Sequence, residues 1–281
     1  MHFVNSKLTK RFDLISTHVI LGGFALFALF PIVYTLMTSF KNETEVLTRP
    51  PTFFPSTLVT EGYEVVFNSE MVRYYIPNSI FNSMVSSVVV VVLASLAGYT
   101  FTRYKFRGSR ALELAILGLM MIPGLTNLIP LYRIASELRA LNSNIFIVAV
   151  YTAGGLPFAI WIIRSFFETI PIELEEAALI DGCTPIQALR MVIMPLAAPG
   201  LLAGFLLMFV DTWNEFLAAL VLLSGNARTV TVGMYDFQSS FEIAYHVWTA
   251  ACILIMLPVI VLFIGLRKQF FEAMLAGALK G

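Results

Sequence analysis

Residues 168–200 read ETIPIELEEAALIDGCTPIQALRMVIMPLAAPG, a polar insert set between two long apolar runs. Pro171 suits a first helical position, where its missing N–H costs nothing. Glu173, Glu175 and Glu176 follow in the opening turns, where carboxylates favour the positive end of the helix dipole. Gly182 supplies a stop, because glycine enters the left-handed conformation at little cost. Thr184-Pro185-Ile186-Gln187 then reads as a capping box with proline at the first helical position. This second helix is expected to end near Pro195, and Pro199 to introduce the next apolar run. The insert 168–199 is therefore expected to be a short helix, a tight turn and a second short helix, lying outside any bilayer.

The rest of the chain is very different. Of 281 residues, 58% are hydrophobic and 13% charged, and the mean hydropathy is +0.82. Soluble domains carry about 25% charged residues. A folded sphere of this composition would expose large apolar patches to water and aggregate. Disorder is excluded by the 24 Phe and the many aliphatics. A formal charge of zero offers no electrostatic footprint for nucleic acid. What remains is an all-α, polytopic membrane protein.

Crossing the roughly 30 Å hydrocarbon layer takes about 20 mainly apolar residues as helix. Six stretches qualify: 14–39, 79–101, 111–134, 145–167, 200–223 and 247–267. The first follows Lys7, Lys10 and Arg11, as a signal peptide would. Its apolar run is too long for one and no A-x-A site follows, so it is expected to be an uncleaved anchor. Residues 1–13 and 268–281 flank this 14–267 region as terminal segments. Orientation follows from the Lys/Arg asymmetry of short loops. With the N-terminus cytoplasmic, twelve of the eighteen Lys and Arg fall inside, four of these crowded into Arg103–Arg110, and six fall outside. Both termini, and the insert between spans four and five, are then cytoplasmic.

Pro123, Gly124 and Pro130 interrupt the third span, Gly154, Gly155 and Pro157 the fourth, and Pro258 the sixth. Backbone groups freed by proline in a membrane need partners in protein or in a water-filled cavity, which favours a transporter or channel over a simple anchor. Asp211 and Glu215 stand one turn apart on one face of span five, with Asp211 near mid-membrane by helical rise, and ionisable groups at that depth rarely face lipid. Two roles are open to them. With Trp213 or Asn214 they line a translocation path, or they hydrogen-bond a neighbouring helix. Asn78, Asn82 and Ser86, with Ser79, Ser83 and Ser87 beside them, form a stripe read as interhelical glue. The three histidines have no metal-like spacing. Cys183 and Cys252 fit neither a disulfide framework nor a metal site, and no catalytic constellation is present. Two uses of the insert are also open: a rigid hairpin that receives a push from a cytoplasmic partner, or an interfacial helix on lipid headgroups. Basic residues should dominate the polar face of the latter, whereas the first half here is acidic.

Glu176-Ala177-Ala178-x-x-Asp181-Gly182 followed by Ile193-x-Pro195 resembles the EAA loop of permease subunits in ATP-binding-cassette (ABC) importers. Gly98-Tyr99 with Arg103-Tyr104-Lys105-Phe106-Arg107-Gly108 is similar to the basic loop of carbohydrate permeases. Met121-Ile122-Pro123, Ile129-Pro130-Leu131-Tyr132, Gly155-Leu156-Pro157-Phe158, Trp213-Asn214-Glu215-Phe216 and the ending Ala276-Gly277-Ala278-Leu279-Lys280-Gly281 extend the likeness over nearly the whole chain. The subgroup is similar to the smaller permease of the maltose transporter. Cys183 in place of the usual alanine and Leu189 in place of a common phenylalanine are mild departures. The resemblance implies a type I ABC importer permease fold in a bacterial or archaeal plasma membrane. It implies partnership with a second related permease, two ATPase subunits, an extracytoplasmic solute-binding protein, membrane lipid and a sugar. The EAA residues Glu176, Ala177, Ala178, Asp181, Gly182, Ile193 and Pro195 would form the coupling helix seated on an ATPase subunit. Ala276, Gly277, Leu279 and Lys280 would contact the ATPase pair. The chain has no G-x-x-x-x-G-K-[ST] motif, so ATP and Mg would be held by the partners, and this subunit would itself be neither catalytic nor cofactor-bearing. The alternative class is an ion-coupled secondary transporter that uses its intramembrane carboxylates.

Overall fold

A computed structural model describes residues 2–237 and 244–278, with side chains over 14–237 and 244–274. The chain divides into two units, Met1–Asn68 with Asp236–Leu254, and Ser69–Tyr235 with Ile255–Gly281.

In the first unit, α1 (His2–Thr38) is a single long helix, whose apolar side chains from Leu14 to Phe30 are exposed. Such a helix is stable in water only if covered, and in hydrocarbon as it stands. Two short helices follow, α2 (Glu43–Val46) and α3 (Glu61–Phe67). The connection between them is organised by Glu45. Its carboxylate accepts from the Ser56 N–H at 2.8 Å and the Ser56 hydroxyl at 3.0 Å, while Lys41 donates to the Thr52 carbonyl. Phe53 packs against the rings of Phe30 and Tyr34.

The second unit holds the main core. A π-turn at Met71–Tyr75 leads into α4 (Ile76–Arg103), followed by α5 (Ser109–Leu119), α6 (Leu128–Glu137) and α7 (Asn144–Phe167). Then come α8 (Glu173–Ile180), α9 (Pro185–Ala188) and, after a second π-turn at Leu189–Ile193, α10 (Met194–Trp213). The short α11 (Leu217–Leu222) and α12 (Val230–Gly233) close this run. Finally α13 (Tyr245–Ala278) gives residues to both units. Val90, Ala94 and Tyr99 of α4, Ala159, Ile163 and Phe167 of α7, and Ala197, Leu201 and Met208 of α10 form one buried cluster. Small residues make that packing possible. A Cβ on Gly200 would lie 2.2 Å from the Phe166 ring, and one on Gly98 would lie 3.2 Å from the Arg164 backbone nitrogen.

Five helices among the described residues are long and apolar enough to cross a membrane, and a sixth span exists if α5 and α6 are counted as one. The structure differs from the expected spans in two places. The stretch 111–134 is not one helix: Ser109–Leu119 and Gly124–Glu137 are bent by 89°. The break falls at Pro123, whose extended ψ of 128° follows a residue that proline keeps out of the helical region. Span five is displaced as well. Its helix runs unbroken from Pro185 to Trp213, so the second helix of the insert does not end near Pro195 but continues inward. Proline at 195 would clash with the carbonyl of residue 191 in a regular helix, and the π-turn at Leu189–Ile193 widens the backbone there. Met71–Tyr75 stands in the same register before Pro77. By contrast, Pro157 and Pro258 lie within uninterrupted helices.

The serine stripe is buried, but its hydroxyls turn back on their own helix. Ser86 bonds the Asn82 carbonyl and Ser87 the Ser83 carbonyl, both at 2.6 Å. Only its first residues reach across: Asn78 donates to the carbonyls of Asn226 and Arg228, and Ser79 accepts from the Val230 N–H. The middle of the stripe acts by small size, letting α7 approach, rather than by hydrogen bonds between helices.

Candidate functional site

The insert begins at α8, two residues later than Pro171 suggests, with Ile172 as N-cap and Glu173, Glu175 and Glu176 in the first turn. It ends at Gly182, which has φ +92°. The Gly182 N–H bonds the Leu179 carbonyl at 3.1 Å and the Cys183 N–H bonds the Ala178 carbonyl at 3.0 Å. This pair of bonds is the Schellman arrangement, which satisfies carbonyls that a helix end otherwise leaves open. Thr184 then caps α9 through the reciprocal bonds of a capping box with Gln187. Two helix ends thus meet within three residues, and the turn is fixed by local bonds alone.

The EAA residues divide between two environments. Glu176, Ala177, Asp181, Gly182 and Pro195 are exposed, whereas Ala178 and Ile193 are buried against the rest of the chain. Of the Ala177-Ala178 pair expected to seat on an ATPase subunit, only Ala177 is open to another surface. The tip carries large apolar side chains in the open, with Ile180 85% and Ile186 77% exposed.

Behind the tip stands a charged cluster that the sequence reading missed. Glu175, taken only as a dipole acid, is buried. Its carboxylate accepts from the Tyr99 hydroxyl and from Arg103 Nε at 2.9 Å, and Arg103 also donates to the Ile170 carbonyl at 2.9 Å. Beside it, Arg164 pairs with Glu113 of α5 and with Glu168 at 3.0 Å. The acid–base complementarity was visible in composition, but no spacing rule joins residues 72 positions apart.

At the other end of α10, a cavity of about 850 Å³ is lined by Gly154, Gly155 and Phe158 of α7, by Leu206, Leu207, Met208, Val210, Asp211 and Asn214, and by Val259, Ile260, Phe263 and Phe270 of α13. Its wall is apolar except for Asp211 and Asn214. The four path candidates separate here. Asp211 and Asn214 are exposed and line the cavity. Trp213 is buried, stacked on Phe209 with ring centres 5.7 Å apart. Glu215 is engaged elsewhere: Tyr151 donates to it at 2.9 Å, and the N–H groups of Ala218 and Ala219 at 2.7 and 3.1 Å. Trp213 does not line the cavity, which corrects its place among the candidates, whereas Glu215 takes the second of the two roles left open: it hydrogen-bonds Tyr151 of the neighbouring α7 and the first N–H groups of α11. Asp211 lies in the last turn of α10.

In the tail, α13 runs on past Arg267 without a break, so Ala276 and Gly277 stand in its last turns. Leu279 and Lys280 lie outside the described residues. Among the described residues no group of three or more His, Cys, Asp or Glu is placed to hold a metal ion.

Residues 90–274 match the family described as binding-protein-dependent transport system inner membrane component. The chain belongs to this family. The permease is 35% identical over 254 residues to the sulfoquinovosyl glycerol transport system permease protein SmoH of Agrobacterium fabrum, covering 90% of this chain and 89% of the relative. It is 32% identical over 282 residues to the trehalose/maltose transport system permease protein MalG of Thermococcus litoralis, covering 99% and 100%. Among solved structures, a crystal structure of a bacterial ABC transporter involved in the import of the acidic polysaccharide alginate aligns with a TM-score of 0.78 at 26% identity, covering 93% of this chain and 98% of that one. The permease is thus a multi-pass inner-membrane protein with the type I ABC importer fold, and it resembles the sugar permeases of that class.

Proposed function

We propose that this permease is one of two related membrane subunits of an ATP-driven sugar importer, fed by an extracytoplasmic solute-binding protein and driven by two cytoplasmic ATPase subunits that hold ATP and Mg. The observation that carries the reading is mechanical. Ile186 at the exposed hairpin tip and Asp211 at the cavity wall lie on one continuous helix, 185–213, roughly 40 Å long at 1.5 Å per residue, and Ile180 stands just across the turn from it. A partner that grips Ile180 and Ile186 moves the cavity wall directly, which is alternating access by rigid rocking. The cytoplasmic placement of the hairpin and of both termini rests on the Lys/Arg asymmetry.

The cavity suits a sugar in character. Phe158 and Phe263 offer apolar faces to C–H groups, and Asp211 and Asn214 offer acceptors and donors to hydroxyls. The tail from Ala276 to Lys280 is assigned to the ATPase pair. A test is purification with the ATPase and second permease in lipid, with hydrolysis measured against a sugar panel plus binding protein. Stimulation by one sugar class supports the proposal. Sugar uptake that proceeds without any ATPase subunit would establish the secondary-transporter alternative.

A further inference from the structure

The hairpin has two attachments to the membrane region, and they differ in stiffness. On the α9 side it runs into α10 as unbroken helix. On the α8 side it joins α7 through residues 168–172, which have no helical ladder. A five-residue non-helical connection is a natural hinge, and a push on the tip would be absorbed there unless something spans it. The Glu175 cluster does span it. Glu175 on the first turn of α8 is held by Tyr99 and Arg103 from the last turns of α4, and Arg103 also grips the hinge at the Ile170 carbonyl. The side chains of Arg103 and Glu175 are 8% and 10% exposed, so water competes little for these bonds. Tyr99 is further fixed edge-on against Phe167, the last residue of α7, at 6.2 Å.

We infer that Tyr99, Arg103 and Glu175 form a clamp that positions the hairpin and passes its movement into α4, so that α4 and α10 move together when the tip is pulled. This rests on the importer reading above and assigns the stroke a second route that bypasses the hinge. An apolar contact at the same place would hold the elements together yet let them slide. Directional bonds to a buried charge resist sliding.

Removing one member of a buried ion pair leaves the other unpaired, whereas replacing both with apolar residues of similar volume often preserves folding. The informative variant is therefore Arg103→Met with Glu175→Leu, reconstituted as the full complex with ATPase subunits and binding protein in proteoliposomes. Sugar molecules transported per ATP hydrolysed are measured. The expected result is wild-type assembly and sugar-stimulated hydrolysis, with transport per ATP lowered at least fivefold. Tyr99→Phe, which removes one hydroxyl and keeps the ring, should lower the ratio about twofold, and Glu175→Gln should fall between. A role confined to folding would change the yield of complex but leave the ratio of the assembled fraction untouched. A wild-type ratio in the double variant overturns the clamp. If the double variant does not assemble, a wild-type ratio in both Tyr99→Phe and Glu175→Gln overturns it. Failure of the importer reading looks different, because the wild-type complex itself would then show no sugar-dependent hydrolysis.

Discussion

Gly182→Val isolates the turn of the hairpin from everything around it. A Cβ at position 182 would meet no atom within 4 Å, so the substitution creates no clash; the strain comes from φ +92° alone. A side-chain-bearing residue in the left-handed region costs roughly 1–2 kcal/mol, and a β-branched one is at the upper end. At 1.4 kcal/mol per tenfold, the correctly turned hairpin loses about 5–30-fold in population relative to a frayed one. Fraying breaks the Gly182 and Cys183 bonds to Leu179 and Ala178, so Ile180 and Ile186 are no longer presented in a fixed relation. In proteoliposomes containing the full complex, uptake should fall, by at most that factor, while membrane insertion and binding-protein docking are unchanged. Gly182→Asn provides the control, since asparagine tolerates the left-handed conformation, and should retain most activity. Uptake by Gly182→Val at the wild-type rate would refute the reasoning, as would an Asn variant as impaired as the Val variant.

Asp211→Ala should change apparent affinity or selectivity across a sugar panel without lowering the yield of complex, because this carboxylate lines the cavity; a lower yield with unchanged selectivity would make it structural. Gly200→Ala should destabilise the permease by about 1–3 kcal/mol through overpacking against Phe166, read as a lower melting temperature in detergent, and Phe166→Leu should recover part of the loss. Glu45 is held below its usual carboxylate range chiefly by the Ser56 N–H, with help from the Ser56 and Thr52 hydroxyls and Lys41. Its stabilising contribution is present above the ordinary carboxylate pKa and is lost as pH falls through the depressed one. Glu45→Gln should therefore lower the melting temperature in the neutral region and flatten the acid limb, so that the two profiles converge at low pH.

Much of the hairpin was legible in the sequence because its determinants are local. Gly182, Thr184, Pro185 and Gln187 act through bonds spanning three to five residues, and each appears where those residue types place it. The unbroken passage from Ala188 into α10 was not legible, because proline at 195 reads as a stop and only the π-turn before it removes the clash. Pro123 was read as a breaker, but a bend of 89° depends on where α6 finds its partners, Ala218, Ala219 and Leu222 among them. Asp211 and Glu215 look alike in sequence, one turn apart with the same charge. They diverge because Glu215 falls just after the helix end, within reach of two free N–H groups and the Tyr151 hydroxyl. Glu175 was hidden for the opposite reason. Its partners come from another helix, and pairings between distant charges leave no periodic trace.

The most direct test of the account is a crosslink at the hairpin tip. Ile180→Cys, in a complex whose ATPase subunit carries a single cysteine in its membrane-facing cleft, should crosslink to that subunit. The crosslink should abolish sugar uptake while uptake returns on reduction. Uptake that continues in the fully crosslinked complex would contradict the claim that this hairpin transmits the ATPase stroke. So would efficient crosslinking of the same cysteine to lipid-anchored probes with none to the ATPase.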